Sequence, residues 1–148
     1  MIRKIQPQDK EAYLTLAREF YNSDAVMHSV PEEFLLRTFN ELMRSEVYAE
    51  CFILEKDGET AGYALIAKTF SQEAGGLTVW IEELYVRPEF RSMGLGREFF
   101  GFLHENRPAA RYRLEVEPDN ERAIALYSRL GFTVLPYGQM IADNGLKL

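Results

Sequence analysis

The stretch from Trp80 to Phe100, WIEELYVRPEFRSMGLGREFF, constrains the fold more than any other part of the chain. Its first half reads as a strand carrying two adjacent carboxylates, Glu82 and Glu83, and Pro88 opens a turn. Arg91-Ser92-Met93-Gly94-Leu95-Gly96 then leads directly into Phe99, Phe100, Phe102 and Leu103, which recur at helical spacing. A glycine turn between a strand and a helix N-terminus gathers unpaired backbone N–H groups in one concavity, where phosphate oxygens bind. The first expectation is an anion site.

The rest of the chain supplies a frame for that unit. Ile2 to Gln6 predicts a strand stopped by Pro7, and Asp9 is placed to cap a helix bearing Tyr13, Leu16, Ala17 and Phe20 on one side. A second helix follows from Pro31, with Phe34, Leu35, Phe39, Leu42 and Met43 as its apolar stripe. Glu50 to Lys56 and Thr60 to Phe70 flank Asp57-Gly58, a hairpin turn signal, and Leu77 to Val86 is the next strand. Beyond the glycine turn, Tyr112 to Glu117 predicts a strand, and Asp119 or Asn120 is placed to cap a helix running to Leu130 and closed by Gly131. Phe132 to Leu135 and Gln139 to Ala142 are expected as two last strands. The order predicts one α/β domain, with helices on both faces of a mixed, mostly antiparallel sheet.

Charge narrows the partners. The formal balance of −6, without a lysine-rich run, argues against nucleic acid. The distribution is uneven: residues 1–83 hold 15 acidic and 8 basic side chains, residues 84–148 hold 8 and 9, and eight of the twelve arginines fall between Arg87 and Arg129. Scattered surface charge and an anion-binding second half are both compatible with this split. Cys51, the lone cysteine, lies in an apolar run and reads as a small buried hydrophobe. With His28 and His104 as the only histidines, no sound zinc site is expected. No apolar stretch approaches the roughly 20 residues that span a bilayer, and Met1 to Pro7 lacks a signal-peptide core, so a cytoplasmic location is expected.

Arg91 to Gly96, in the pattern R-x-x-G-x-G after Leu84-Tyr85-Val86-Arg87-Pro88, resembles the acetyl-CoA signature of the GNAT superfamily of N-acetyltransferases. Downstream, Asn120-Glu121-Arg122-Ala123-Ile124-Ala125-Leu126-Tyr127, followed by Leu130-Gly131-Phe132, resembles the N-x-x-A-x-x-x-Y…G-F helix of the same superfamily. Alone, the glycine motif is weak; the two in order, with a strand between, are strong. A P-loop reading would need a GK[ST] that is absent. The resemblance implies one N-acetyltransferase domain over residues 1–148, acetyl-CoA as donor and an amine as acceptor.

The resemblance also implies roles. Arg91, Ser92, Met93, Gly94, Leu95 and Gly96, flanked by Arg97, would bind the diphosphate through backbone amides; Leu84, Tyr85 and Val86 would line the pantetheine arm. Asn120, Ala123 and Tyr127 would face the cofactor from the later helix. Tyr127 matches the family's acid at the leaving thiolate, its bland alternative being a core tyrosine. Three carboxylates compete as base. Glu82 is ranked first, by its likeness to the spermidine/spermine acetyltransferase branch, Glu115 second and Glu83 third. Glu83 should point away from Glu82 on a regular strand.

Two features depart from the family pattern. Ser92 replaces a common glycine or lysine, and the substrate-facing region around Tyr21 to Val30 and Ser71 to Gly76 resembles no particular subfamily. The acceptor stays open between a small amine, polyamine- or aminoglycoside-like, and a peptide. Homodimers are common in the superfamily, and Phe132 to Leu148 is read as a candidate interface. A non-catalytic acyl-CoA-binding regulatory module is the competing reading, against which the presence of both Tyr127 and Asn120 argues.

Overall fold

The computed structural model describes residues 1–146. Strand β1 (Ile2–Lys4) is followed by a 3₁₀ turn (Pro7–Asp9), helices α1 (Lys10–Tyr21) and α2 (Glu32–Arg44), and strands β2 (Ala49–Lys56), β3 (Glu59–Ser71) and β4 (Gly76–Val86). A second 3₁₀ turn (Pro88–Phe90), helix α3 (Leu95–Asn106), strand β5 (Arg111–Leu114) and helix α4 (Glu121–Arg129) complete it. The sheet runs in sequence order, β1 to β5; the first four strands pair antiparallel and β4 pairs parallel with β5. This is the expected mixed, mostly antiparallel α/β sheet.

Alternation along β2 divides the interior in two. Cys51 and Ile53 pack with Tyr13, Leu16, Phe20, Leu35 and Phe39 under α1 and α2, whereas Phe52 and Leu54 pack with Leu95, Phe99 and Leu103 under α3. One ion network around the buried Glu50 ties the neighbouring strands β2 and β3 to the C-terminal end of α3: Glu50 accepts from Lys68 Nζ at 3.0 Å and from Arg107 Nη2 at 2.6 Å. Those two cations hold the Glu50 carboxyl below its usual range against the opposing pull of burial. Asp57 and Gly58, both at positive φ, form the predicted hairpin turn.

Four local expectations change. β1 ends at Lys4 rather than Gln6, although Ile5 N still donates to Cys51 O. Asp9 does not cap α1 with its side chain, because Arg3 binds both its oxygens, at 2.7 and 2.9 Å, and Gln6 N donates to it as well. β5 covers Arg111–Leu114 and stops short of Glu117.

The last correction is the largest. Neither Phe132 to Leu135 nor Gln139 to Ala142 forms a strand. Val134, Ile141 and Met140 are exposed, the last by 99%. Runs of four residues split by Pro136 and Gly138 gain nothing from alternation without a neighbouring edge to receive their N–H and C=O groups. Of the interface expected over Phe132 to Leu148, the final two residues lie outside the described residues.

Gly62 is the glycine on which the sheet depends. A Cβ there would sit 2.1 Å from the Tyr85 carbonyl oxygen, inside the β3–β4 pairing, whereas a Cβ on Gly101 in α3 meets nothing within 4 Å. Gly62→Ala is therefore expected to lower stability by about 1–3 kcal/mol. Gly101→Ala should be neutral or stabilise by about 0.5–1 kcal/mol, since it removes backbone freedom from the unfolded chain. Thermal denaturation of the two variants side by side checks both; equal melting temperatures would refute the argument.

Candidate active site

The site begins with a mismatch in length between neighbouring strands. β5 pairs with β4 only from Thr78/Arg111 to Ile81/Leu114, yet β4 runs on to Val86. Beyond Ile81 that edge of β4 has no strand partner among the described residues, and its backbone groups open into a cleft. At the same point the β3–β4 register steps: Ile66 faces Ile81, Leu65 faces Glu83, and Glu82 is the extra residue of a bulge. Unbroken alternation would put Ile81, Glu83 and Tyr85 on one face. The bulge instead leaves Ile81 in the α3-side core and turns Tyr85 into the α1-side core.

The cleft measures about 1570 Å³. Leu84, Tyr85 and Val86 form one wall, the glycine turn its floor, α4 the facing wall, and the loop Asn22 to Val26 after α1 closes one side. In the turn, Gly94 caps α3 at φ 85°, a left-handed conformation that L side chains resist, and Ser92 adopts φ 65°. Gly96 is close-packed as well, since a Cβ there would meet Leu126 Cδ2 at 3.0 Å. The free N–H groups of the first turn of α3 and its dipole favour an anion. Arg91 Nε donates to the Val86 carbonyl at 2.9 Å and fixes the turn against the end of β4.

From α4, Asn120 Oδ1 accepts from Ala123 N at 3.2 Å, a helix cap, while the same residue lines the cleft. Tyr127 also lines the cleft, its ring held edge-on to Phe100 at 5.8 Å and tilted to Phe132 at 5.9 Å. Burial pushes its hydroxyl pKa above the usual tyrosine value, so it keeps its proton at neutral pH.

The carboxylates gather where β4 and β5 part. Glu82 is an exposed residue, yet its carboxyl has lost enough hydration that its pKa rises, with the charges of Glu115 and Glu83 pushing the same way. Glu83 is half-buried on the α1 side, where Tyr21 and Tyr63 each donate a hydroxyl hydrogen bond to one of its oxygens. Those two donors favour the charged form, but burial outweighs them and the Glu83 pKa also rises.

The cleft brings together Leu84, Tyr85, Val86, Arg91, Ser92, Gly94, Leu95, Gly96, Arg97, Asn120, Ala123 and Tyr127. Met93, Glu82 and Glu115 are not part of its lining. Met93 is 53% exposed, turned out of the glycine turn. Sequence reasoning gave no cleft role to Arg122, Leu126 and Arg129, which share one face of α4, whereas Asn22 to Val26 falls within the Tyr21 to Val30 stretch read as facing substrate; Ser71 to Gly76 does not line the cleft. The arginine enrichment after Arg87 was the available signal for the first group. Among the described residues no group of three or more His, Cys, Asp or Glu is arranged around a metal position, and no helix is long and apolar enough to cross a membrane.

Known proteins share this arrangement. A family described as "Acetyltransferase (GNAT) family" matches residues 11–132. The thialysine N-epsilon-acetyltransferase of Mus musculus is 26% identical over 146 residues, spanning 88% of this chain and 82% of that protein. A structure of AAC(6')-Iy in complex with a bisubstrate analogue, CoA-S-monomethyl-acetylneamine, superposes with a TM-score of 0.78 over 98% of each chain. A ribosomal-protein-alanine N-acetyltransferase from Brucella melitensis biovar Abortus 2308 gives 0.70, over 97% of this chain and 99% of that one. These two structures are 17% and 15% identical to this chain and speak to fold alone.

The buried Glu83 has a measurable consequence. Its pKa is higher in the folded protein than in an open chain, so its contribution to stability is fully present below the unfolded carboxylate pKa and is lost as pH rises through the folded value. Glu83→Gln should flatten the decline of melting temperature above about pH 4.3 relative to wild type. Tyr21→Phe, which removes one donor from the charged carboxylate, should steepen it. Identical pH profiles for all three proteins would refute this account.

Proposed function

We propose, from the premise that this chain belongs to the acetyltransferase (GNAT) family, that it carries the acetyl group of acetyl-CoA to the primary amine of a small cationic acceptor. The chain is an acetyl-CoA-dependent N-acetyltransferase; the acceptor class and the residue roles are the proposal. The observation that carries it is the parting of β4 from β5 at Ile81/Leu114. It leaves a free strand edge beside an amide-lined turn, and the charges of Glu115 and Glu83 act on Glu82 where the two strands part.

The residues fit the donor. A pantetheine arm has two amides, and the unpaired edge of Leu84 to Val86 offers the backbone groups an added strand would use. The amides of Ser92 to Gly96, with Arg91 and Arg97 beside them, suit a diphosphate. When bound, acetyl-CoA supplies the acetyl group as a thioester. Tyr127 holds a proton at neutral pH and gives it to the departing sulfur. Glu82, with its raised pKa, takes a proton from the incoming ammonium, and Glu115 keeps that pKa high.

Glu82 and Glu115, where β4 and β5 part, attract cations and repel carboxylate-rich peptides. That favours an aliphatic amine, in keeping with the thialysine named for the mouse relative. No observation here favours the non-catalytic reading.

Free-thiol release from acetyl-CoA over a panel of thialysine, polyamines, aminoglycosides and peptides should reveal turnover on the aliphatic cationic amines first. Binding of acetyl-CoA without turnover on any amine would overturn the enzyme reading. Tyr127→Phe should leave acetyl-CoA affinity in place and reduce kcat by about 100-fold; an unchanged kcat removes Tyr127 from the chemistry. Glu82→Gln should abolish the acidic limb of the kcat/KM pH profile. Glu115→Gln should move that limb to lower pH, because losing a like charge lowers the Glu82 pKa.

A further inference from the structure

The arginines of this protein divide into two sets. Outside the cleft, seven of eight pair with a carboxylate within 4.0 Å, and Arg113 stacks over Trp80 at 4.2 Å. The four that line the cleft, Arg91, Arg97, Arg122 and Arg129, have no carboxylate partner among the described residues. Asp24 and Asp119 line the same cleft and pair with none of them. Four exposed guanidinium groups without carboxylate partners around one concavity raise its positive potential and draw an anionic ligand.

The four do not sit alike. Arg91 and Arg97 belong to the glycine turn and its helix, where the amides already suit a diphosphate. Arg122 comes from the opposite wall, in the first turn of α4, and its Nη2 donates to Ser92 Oγ at 3.0 Å, so its guanidinium reaches across to the phosphate end of the cleft. Arg129 lies seven residues on, on the same helix face about 10 Å further along. A hydroxyl is a weak partner for a guanidinium and is readily exchanged for a phosphate, which accepts two N–H bonds at once. CoA carries a third phosphate, a monoester on the ribose 3′ oxygen, with up to two charges that the turn amides do not serve.

We propose that Arg122, resting on Ser92 in the free protein, reads the 3′-phosphate, so that the cleft selects CoA over 3′-dephospho-CoA. The inference rests on the acetyl-CoA reading above and assigns one specificity-determining residue within it. Ser92, where glycine or lysine is common in the family pattern, holds that side chain across the cleft.

Isothermal titration calorimetry with CoA and with 3′-dephospho-CoA, at one ionic strength, tests this without requiring turnover. Wild type should bind CoA about tenfold to a hundredfold more tightly, the range of a charge-assisted pair. Arg122→Gln should lose most of that preference while its affinity for 3′-dephospho-CoA stays near the wild-type value; Arg129→Gln should keep the preference. If Arg122→Gln does not fold, Arg122→Lys should retain the preference in part, through charge without the planar fork. Equal weakening toward both nucleotides in the Arg122 variant would make it a diphosphate ligand or a structural strap and overturn the proposal. Loss of preference in the Arg129 variant instead, or no preference in wild type, would do the same. Failure of wild type to bind either nucleotide would sink the acetyl-CoA reading itself.

Discussion

The structure depends on a pairing that ends early. β4 and β5 run parallel for four residues and then separate, because β5 stops at Leu114 while a bulge at Glu82 bends β4. Parallel strands normally satisfy one another's backbone along their whole length, so an abandoned edge next to a core is a standing demand for N–H and C=O partners. Water meets that demand in the free protein. A ligand with extended amides meets it better, and the rest of the site is arranged around the resulting gap.

Two cores of different character hold the gap open. The α1-side core buries Tyr13, Tyr63 and Tyr85 and keeps the Glu83 carboxylate bonded to Tyr21 and Tyr63 at the bulge. The α3-side core is aliphatic and phenylalanine-rich, and it anchors the glycine turn through Leu95, Phe99 and Phe100. Tyr127 joins this second core by its ring while its residue borders the cleft. Charge follows the same division: carboxylates collect where the strands part, and unpaired arginines collect around the turn. The proposed placement of the donor, phosphates at the turn and thioester toward the carboxylates, follows that division.

Much of this was legible in the residues. The strand, turn and helix from Trp80 to Asn106 follow from Pro88, the two glycines and the phenylalanine spacing, since each is a local steric or periodic constraint. The hairpin at Asp57-Gly58 is local in the same sense, as is the capping of α4, for which the residues offered Asp119 or Asn120 and the structure uses Asn120. The failed expectations were not local. Asp9 looked like a helix cap, but Arg3, distant enough to be invisible to a capping rule, claimed its carboxylate. The alternating residues after Phe132 looked like strands, but a strand exists only where another edge receives it, and none of the described residues does so.

The sequence by itself determined the strand, glycine turn and helix start that border the cleft, because those constraints are contiguous in the chain. Only the tertiary structure decided where the carboxylates of β4 fall. Regular alternation sends Glu82 and Glu83 to opposite faces, and nothing in the residues announces the bulge that shifts the register between Leu65 and Ile66. Nor could spacing pair Arg122 with Ser92, or leave those four arginines without carboxylates while seven of the other eight found theirs. Register, bulge and ion pairing are properties of contacts between segments far apart in the chain. Their energies depend on what lies opposite, which a single strand of sequence does not contain.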